Sequence, residues 1–172
     1  MKQYVKAIVI ITLFPAVVFA QQSTFRDSLL DHMTGEWVLD GIIDSAKTTH
    51  DVSIAWVLGH QYLQLHESSR EKNLQGTPAY EAIVYIGWDK PSGRYVCLWL
   101  DVTGGGGLSP HAFGYATKAS DTLAFLFKSG SGGVFHTTMI HHPATADWQW
   151  VMDDEQNGVP EPFARLTMKR KK

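Results

Sequence analysis

The sequence predicts an all-β protein, a closed up-and-down antiparallel barrel of about ten strands preceded by a short helix. From residue 36 onward, apolar and aromatic residues recur with a period of two, and no long helical pattern interrupts them. Turn signals separate these segments at short intervals, so consecutive strands should be neighbours. An open sheet of this length would expose two edges to other chains, and closure removes both.

A short helix is predicted over 25–33. Thr24 and Asp27 have the spacing of a capping box, with a hydroxyl at the N-cap and an acid three residues later. Apolar residues follow at helical spacing, and Gly35 ends the pattern.

Ten strands are then predicted from aromatic and β-branched content and from their flanking turns. Their ranges are 36–43, 49–58, 61–68, 80–89, 94–102, 111–118, 122–128, 134–141, 148–153 and 163–169. The turns contain Leu58-Gly59-His60, Gln156-Asn157-Gly158 and glycines near 93 and 130–133, which tolerate positive φ. We expect one lipocalin-like barrel domain over 21–172.

Residues 1–20 have the order of a secretory signal peptide. Lys2 and Lys6 supply the basic start, 7–18 is an apolar run, and Ala20 is the small residue before the expected cleavage point. The run is too short to span a bilayer, and no later segment reaches the length that a span needs. We expect cleavage near Ala20 and a periplasmic or extracellular location.

Charge and cysteine content narrow the classes of partner and the source of stability. Without Lys2 and Lys6 the chain has 13 basic and 17 acidic residues, a net charge of −4, which disfavours nucleic acid as a partner. Cys97 is the one cysteine, so packing must stabilise the fold without an internal disulfide. The basic run 169–172 is interpreted as a solvated tail.

Two short segments, one on the first predicted strand and one on the last, resemble the signature of the calycin superfamily, which includes the lipocalins. Gly35-Glu36-Trp37 opens the first strand, and Arg165 lies on the last strand in Phe163-Ala164-Arg165-Leu166. In that superfamily the Trp crosses the closed end and a basic residue of the last strand stacks on it, a cation–π contact of about 0.5–2 kcal/mol. The resemblance implies structural roles for Trp37 and Arg165.

A second set of residues resembles a bacterial exported branch of that superfamily, a domain of unknown function. The matching residues are Glu81, Gly87-Trp88-Asp89, Tyr95 and Trp99-Leu100-Asp101. This resemblance covers about 29–167 and implies a fold but no activity.

Several kinds of chemistry are disfavoured by the motifs. Eight histidines raise the question of zinc or haem, but no helical pair of histidines occurs, and the haem-binding nitrobindins take their ligand from the last strands, where 143–172 has none. No nucleophile elbow surrounds any serine, and Cys97 is interpreted as a core thiol. We therefore assign no catalytic residue, no metal ligand and no cofactor, with haem or zinc as the weaker alternative.

The sequence favours a barrel that binds a small, mostly apolar molecule in its interior. The candidate lining residues are Trp56, Tyr62, His66, Glu81, Trp99, Asp101, His136 and Trp150. Two alternatives stay open. Glu81, Asp101 or a histidine could act as an acid or base on a small substrate, or the barrel could be filled and act through its surface.

Overall fold

The computed structural model describes residues 25–104, 108–130 and 132–172, and within them it contains one α-helix, one 3₁₀ turn and eleven strands. The helix α1 is Ser28–Met33, and the 3₁₀ turn is Pro110–Ala112. The strands are β1 Gly35–Ile43, β2 Ala46–Val57, β3 Tyr62–Ser69, β4 Glu81–Asp89, β5 Arg94–Asp101, β6 Phe113–Ala116, β7 Lys118–Ala119, β8 Thr122–Lys128, β9 Val134–His142, β10 Asp147–Gln156 and β11 Val159–Arg170. The predicted signal peptide, 1–20, lies outside the described residues.

The sheet closes into a barrel through two sets of pairings. Neighbouring strands pair antiparallel, β1 pairs with β11, and β6 pairs with β8 through Gly114↔Phe127 and Tyr115↔Leu126. The two-residue strand β7 pairs with β8 farther along, so it continues the course of β6 and the wall has ten strands. The predicted closed antiparallel barrel with a short helix is confirmed. Among the described residues, no helix has the length and apolar character that a membrane crossing requires.

The helix begins later than predicted because Asp27 caps it. The Asp27 carboxylate accepts hydrogen bonds from the Leu29 and Leu30 amides at 2.9 and 3.1 Å, so the first helical residue is Ser28. An aspartate at the N-cap satisfies these amides as well as the predicted hydroxyl would. Thr24 lies outside the described residues.

Three predicted strands differ clearly from the observed ones. β10 and β11 extend into the polar segment up to a tight turn in which Asn157 and Gly158 have positive φ, and their ladder continues to Gln156↔Val159. Backbone pairing holds this hairpin although its side chains do not alternate. The strand predicted over 111–118 starts with the 3₁₀ turn and is interrupted at Thr117.

One end of the barrel is closed by α1 and the chain before it. Trp37 is fully buried there, and its Nε1 donates to the Met33 carbonyl at 2.7 Å. The Tyr95 hydroxyl and the Lys118 ammonium both donate to Asp27, the latter at 2.8 Å. The interior next to this end is filled by buried side chains, among them Trp37, Leu39, Phe125, Met139, Trp148 and Trp150.

The basic residue that stacks on Trp37 is Arg170, so the prediction that Arg165 stacks on this ring is wrong. The Arg170 guanidinium lies 4.0 Å from the centre of the Trp37 ring, and Trp37 pairs with Arg170 in the ladder between β1 and β11. Arg165 lies five residues earlier, where it donates to the Met152 carbonyl and pairs with Asp153. The last strand is longer than predicted, which moves the seam with Trp37 toward the C-terminus.

Candidate ligand-binding site

A cavity of about 450 Å³ lies at the end of the barrel opposite α1. We call it the mouth cavity. Its lining comes from the strand ends and loops at this end, including Tyr80 just before β4 and Thr103 just after β5. The other lining residues are Trp99, Asp101, His111, Ala112, Phe127, Lys128, Ser129, Gly130, Phe135, Thr137, Met152 and Phe163. Most of the surface that these residues present to the cavity is apolar.

The polar groups of the mouth cavity form a connected cluster on one wall. Trp99 Nε1 donates to the Tyr80 hydroxyl at 3.0 Å, and this hydroxyl donates to Asp101 Oδ2 at 3.5 Å. The Thr103 amide donates to Asp101 Oδ1 at 2.8 Å, and the Thr103 hydroxyl donates to the same oxygen. These bonds hold the Asp101 carboxylate at the end of β5.

Tyr80 connects this cluster to a second one that is fully buried. Its ring stacks on His50 with 5.6 Å between the ring centres. Burial raises the pKa of the Tyr80 hydroxyl, and the negative charges of Glu67 and Asp101 raise it further. The hydroxyl is therefore neutral and serves as a hydrogen-bonding group.

The second cluster is a buried pair between His50 on β2 and Glu67 on β3. The two residues are 2 % and 3 % exposed, and His50 Nδ1 is hydrogen-bonded to Glu67 Oε1. On the other side of the ring, His50 Nε2 lies 2.7 Å from the Thr48 hydroxyl, which donates to Glu71 at 2.9 Å. Each nitrogen of the imidazole therefore has a partner within the protein, so the buried ring is satisfied without solvent.

Three of the eight candidate residues lie at or next to the mouth cavity. Trp99 and Asp101 line it. Trp150 is fully buried and packs edge-on against Trp99 with 6.1 Å between ring centres. Trp150 thus supports the floor that Trp99 forms, and ligand contact by these residues stays a prediction.

The other five candidates lie elsewhere, and the prediction that they line the cavity is wrong. Trp56 is at the closed end, where its Nε1 donates to Asp31 at 2.8 Å. The remaining four are on the outer face of the wall. They are Tyr62, His66, Glu81 and His136, of which His66 pairs with Glu81 and His136 with Glu155, each at 2.7 Å.

Strand parity explains these placements and also the residues that were missed. On β3 the buried positions are Leu63, Leu65 and Glu67, so His66 must face outward. On β2, His50 shares the parity of the buried Val52 and Ile54. The buried His50–Glu67 pair could have been found by extending the apolar parity to the polar residue at the end of each run.

Metal binding and thiol chemistry gain no support from the side chains of the described residues. Among residues 25–104, 108–130 and 132–172, no three of His, Cys, Asp and Glu come together in a way that could hold a metal ion. Cys97 is fully buried, and burial raises the pKa of its thiol, which keeps it in the unreactive protonated form.

Comparison with protein-family models found no family that matches this chain, and comparison with curated proteins found no match either. The closed antiparallel barrel is compatible with a calycin or lipocalin-like fold. It is also compatible with ligand binding.

Proposed function

We propose that this protein binds a small, mostly apolar molecule in the mouth cavity. The observation that carries the proposal is a cavity of about 450 Å³ with four aromatic side chains besides Tyr80 in its lining, at one end of an otherwise filled barrel. Pockets that bury small ligands have volumes of roughly 300–1,000 Å³ and a mostly apolar lining with a few fixed polar groups. Asp101, held by Thr103 and Tyr80, supplies such a group.

The proposal is tested by filling the cavity. Thr137 lines the cavity and is 2 % exposed, whereas Thr138, the next residue on β9, has the opposite parity and faces outward. The probe is N-phenyl-1-naphthylamine, a neutral apolar fluorophore. It should bind the unmodified protein at one saturable site with a Kd of roughly 10–100 µM, given its number of atoms.

Thr137→Phe should weaken probe binding at least about tenfold because the new ring occupies the cavity. Thr138→Phe should leave the Kd unchanged and serves as the matched control. Absence of saturable binding in folded, unmodified protein, or equal effects of the two variants, would refute the proposal.

The calycin relationship is a proposal supported by the packing of Arg170 on Trp37 at the seam of the barrel. Gly35 supports it too, because a side chain there would overlap the Arg170 guanidinium. The glycine, the tryptophan and the last-strand arginine thus act as one structural unit.

Export remains a proposal that rests on the first twenty residues. Cleavage after Ala20 would give a mature chain that starts at Gln21. The intact mass of protein from the culture medium or periplasm should match 21–172, with or without loss of ammonia by cyclisation of Gln21. The mass of the full chain in fractionated cytoplasm, without a shorter form, would contradict export.

A further inference from the structure

We propose that the ligand of the mouth cavity carries a cationic amine, which Asp101 and the surrounding aromatic rings bind. This inference rests on the proposed function and specifies its ligand class. It follows from which hydrogen-bonding groups of the cavity are already used and which are not.

The two oxygens of the Asp101 carboxylate differ in the hydrogen bonds that they accept. Its Oδ1 accepts from both the amide and the hydroxyl of Thr103, which fixes its orientation. Its Oδ2 receives one contact among those the structure describes, the Tyr80 hydroxyl at 3.5 Å, which is long for an O–H···O hydrogen bond. Oδ2 therefore retains most of its capacity to accept a hydrogen bond from a ligand.

The donors near this oxygen are already used within the protein. Trp99 Nε1 donates to the Tyr80 hydroxyl, and that hydroxyl donates to Asp101. At the rim, His111 Nδ1 lies 2.9 Å from the carbonyl of Lys128, so in the neutral imidazole Nδ1 donates and Nε2 is an acceptor. The wall thus offers a ligand mainly acceptors, which suit a group rich in N–H donors.

The charges near the wall have the matching sign. Asp101 lines the cavity, and Glu67 lies close enough to Tyr80 to act on its hydroxyl, with His50 as its partner. Lys128 is exposed and has the outward parity of β8, because Phe125 and Phe127 occupy the buried positions. Lys128 lines the rim, and the charged side chain on the wall beside Trp99 is the Asp101 carboxylate.

The aromatic rings favour the same class of ligand. A cation next to the face of Trp or Tyr is attracted by the ring quadrupole, and this attraction is stronger when water is excluded. Trp99 and Tyr80 flank the carboxylate, while Phe127, Phe135 and Phe163 provide the apolar surface for the rest of the ligand. An aromatic or aliphatic amine fits this arrangement, with its ammonium group at the carboxylate and its apolar part against the phenylalanine rings.

The test uses three probes with one skeleton: 1-naphthylmethylamine, 1-naphthalenemethanol and 1-naphthoic acid. Calorimetric titration of the full protein should show the amine binding about tenfold or more tightly than the alcohol, and the acid binding most weakly, because a charge-assisted hydrogen bond is stronger than a neutral one. Asp101→Asn keeps the shape of the side chain and should abolish the preference for the amine. Glu81→Gln removes a carboxylate charge from the outer face of the neighbouring strand and should leave the preference for the amine unchanged.

The outcomes separate this inference from the proposed function. Equal affinities for amine and alcohol, or tightest binding of the acid, would overturn the amine inference while leaving the cavity a binding site. An equal loss of affinity for all three probes in Asp101→Asn would also overturn the amine inference, since Asp101 would then only shape the cavity. No binding of any probe to folded protein would refute the proposed function itself.

Discussion

At the scale of single residues, β2, β3 and β4 carry two pairs of histidine and glutamate in opposite environments. His50 and Glu67 face the interior and are almost completely buried, whereas His66 and Glu81 face solvent with side chains that are 46 % and 45 % exposed. Both pairs have a hydrogen bond between ring nitrogen and carboxylate. The environment, and not the residue types, decides how much each pair contributes to the stability of the fold.

The buried pair should be sensitive to the loss of one partner. Glu67→Leu should lower the free energy of unfolding by about 3–5 kcal/mol, because it leaves a buried imidazole without its partner. Glu81→Leu, in the exposed pair, should change it by less than about 1 kcal/mol. Urea denaturation of both variants measures the difference.

The double variant His50→Leu/Glu67→Leu should recover part of the loss, since removing both polar partners leaves no unsatisfied group. If the effects of His50→Leu and Glu67→Leu, measured as single variants, were strictly additive in the double variant, this would contradict the pairing.

At the scale of elements, the closed end depends on Asp27, which caps α1 and receives Tyr95 and Lys118. Burial by itself would raise the pKa of Asp27, but the hydrogen bonds from Lys118, Tyr95 and the Leu30 amide outweigh it, so the pKa lies below its usual value near 3.8. A carboxyl group whose pKa is lowered in the folded state stabilises it above the unfolded pKa. This contribution disappears as the pH falls through the folded pKa.

Asp27→Asn should therefore lower the free energy of unfolding by about 2–3 kcal/mol at pH 7, while its amide oxygen preserves the cap. The difference from the unmodified protein should shrink as the pH falls below about 4. Denaturation at a series of pH values measures it, and Asp44→Asn in the exposed β1–β2 turn is the control. A difference that stays constant down to pH 2 would contradict the charge-based role of Asp27.

The seam between β1 and β11 gives a second element-scale prediction. Trp37→Leu and Arg170→Ala should show a coupling of about 0.5–2 kcal/mol in a double-mutant cycle, because their side chains stack. Trp37→Leu and Arg165→Ala should be additive within about 0.5 kcal/mol, because Arg165 contacts β10 instead. Coupling with Arg165 and none with Arg170 would contradict the observed seam.

At the scale of the whole molecule, the barrel is divided into a filled part and an open part. Large side chains fill the interior from the closed end up to Trp150, and Trp99 packs against Trp150 as the floor of the mouth cavity. The filled part stabilises the fold, so the open part can accept a ligand without being required for folding.

Ligand binding should therefore stabilise the whole molecule. At ten times its Kd, 1-naphthalenemethanol should add about 1.4 kcal/mol to the free energy of unfolding, a rise in Tm of about 4–5 °C for a domain of this size. Thermal denaturation measures the shift. Thr137→Phe should lose it and Thr138→Phe should keep it, and a shift of equal size in both would point to binding outside the cavity.

The sequence by itself determined the all-β class, the number of strands in the wall and most strand positions. Those properties depend on local alternation and on turn residues, as in the exact match of β8 with the segment predicted over 122–128. Two of the predicted lining residues, Trp99 and Asp101, share their parity on β5 with the buried Tyr95 and Cys97, which points them inward.

Only the tertiary structure decided the register between paired strands and which face of each strand points inward. The stacking of Arg170 depends on the register of β11 against β1, which pairs Trp37 with Arg170. Arg165 also has the outward parity of β11, because Ala164, Leu166 and Met168 are its buried positions. The outward positions of His66, Glu81 and His136 depend on which face of each strand closes onto the core. The mouth cavity itself arises because closure of the barrel brings Trp99 and Asp101 of β5 to the same end as Phe135 of β9 and Phe163 of β11, which are far from them in the chain.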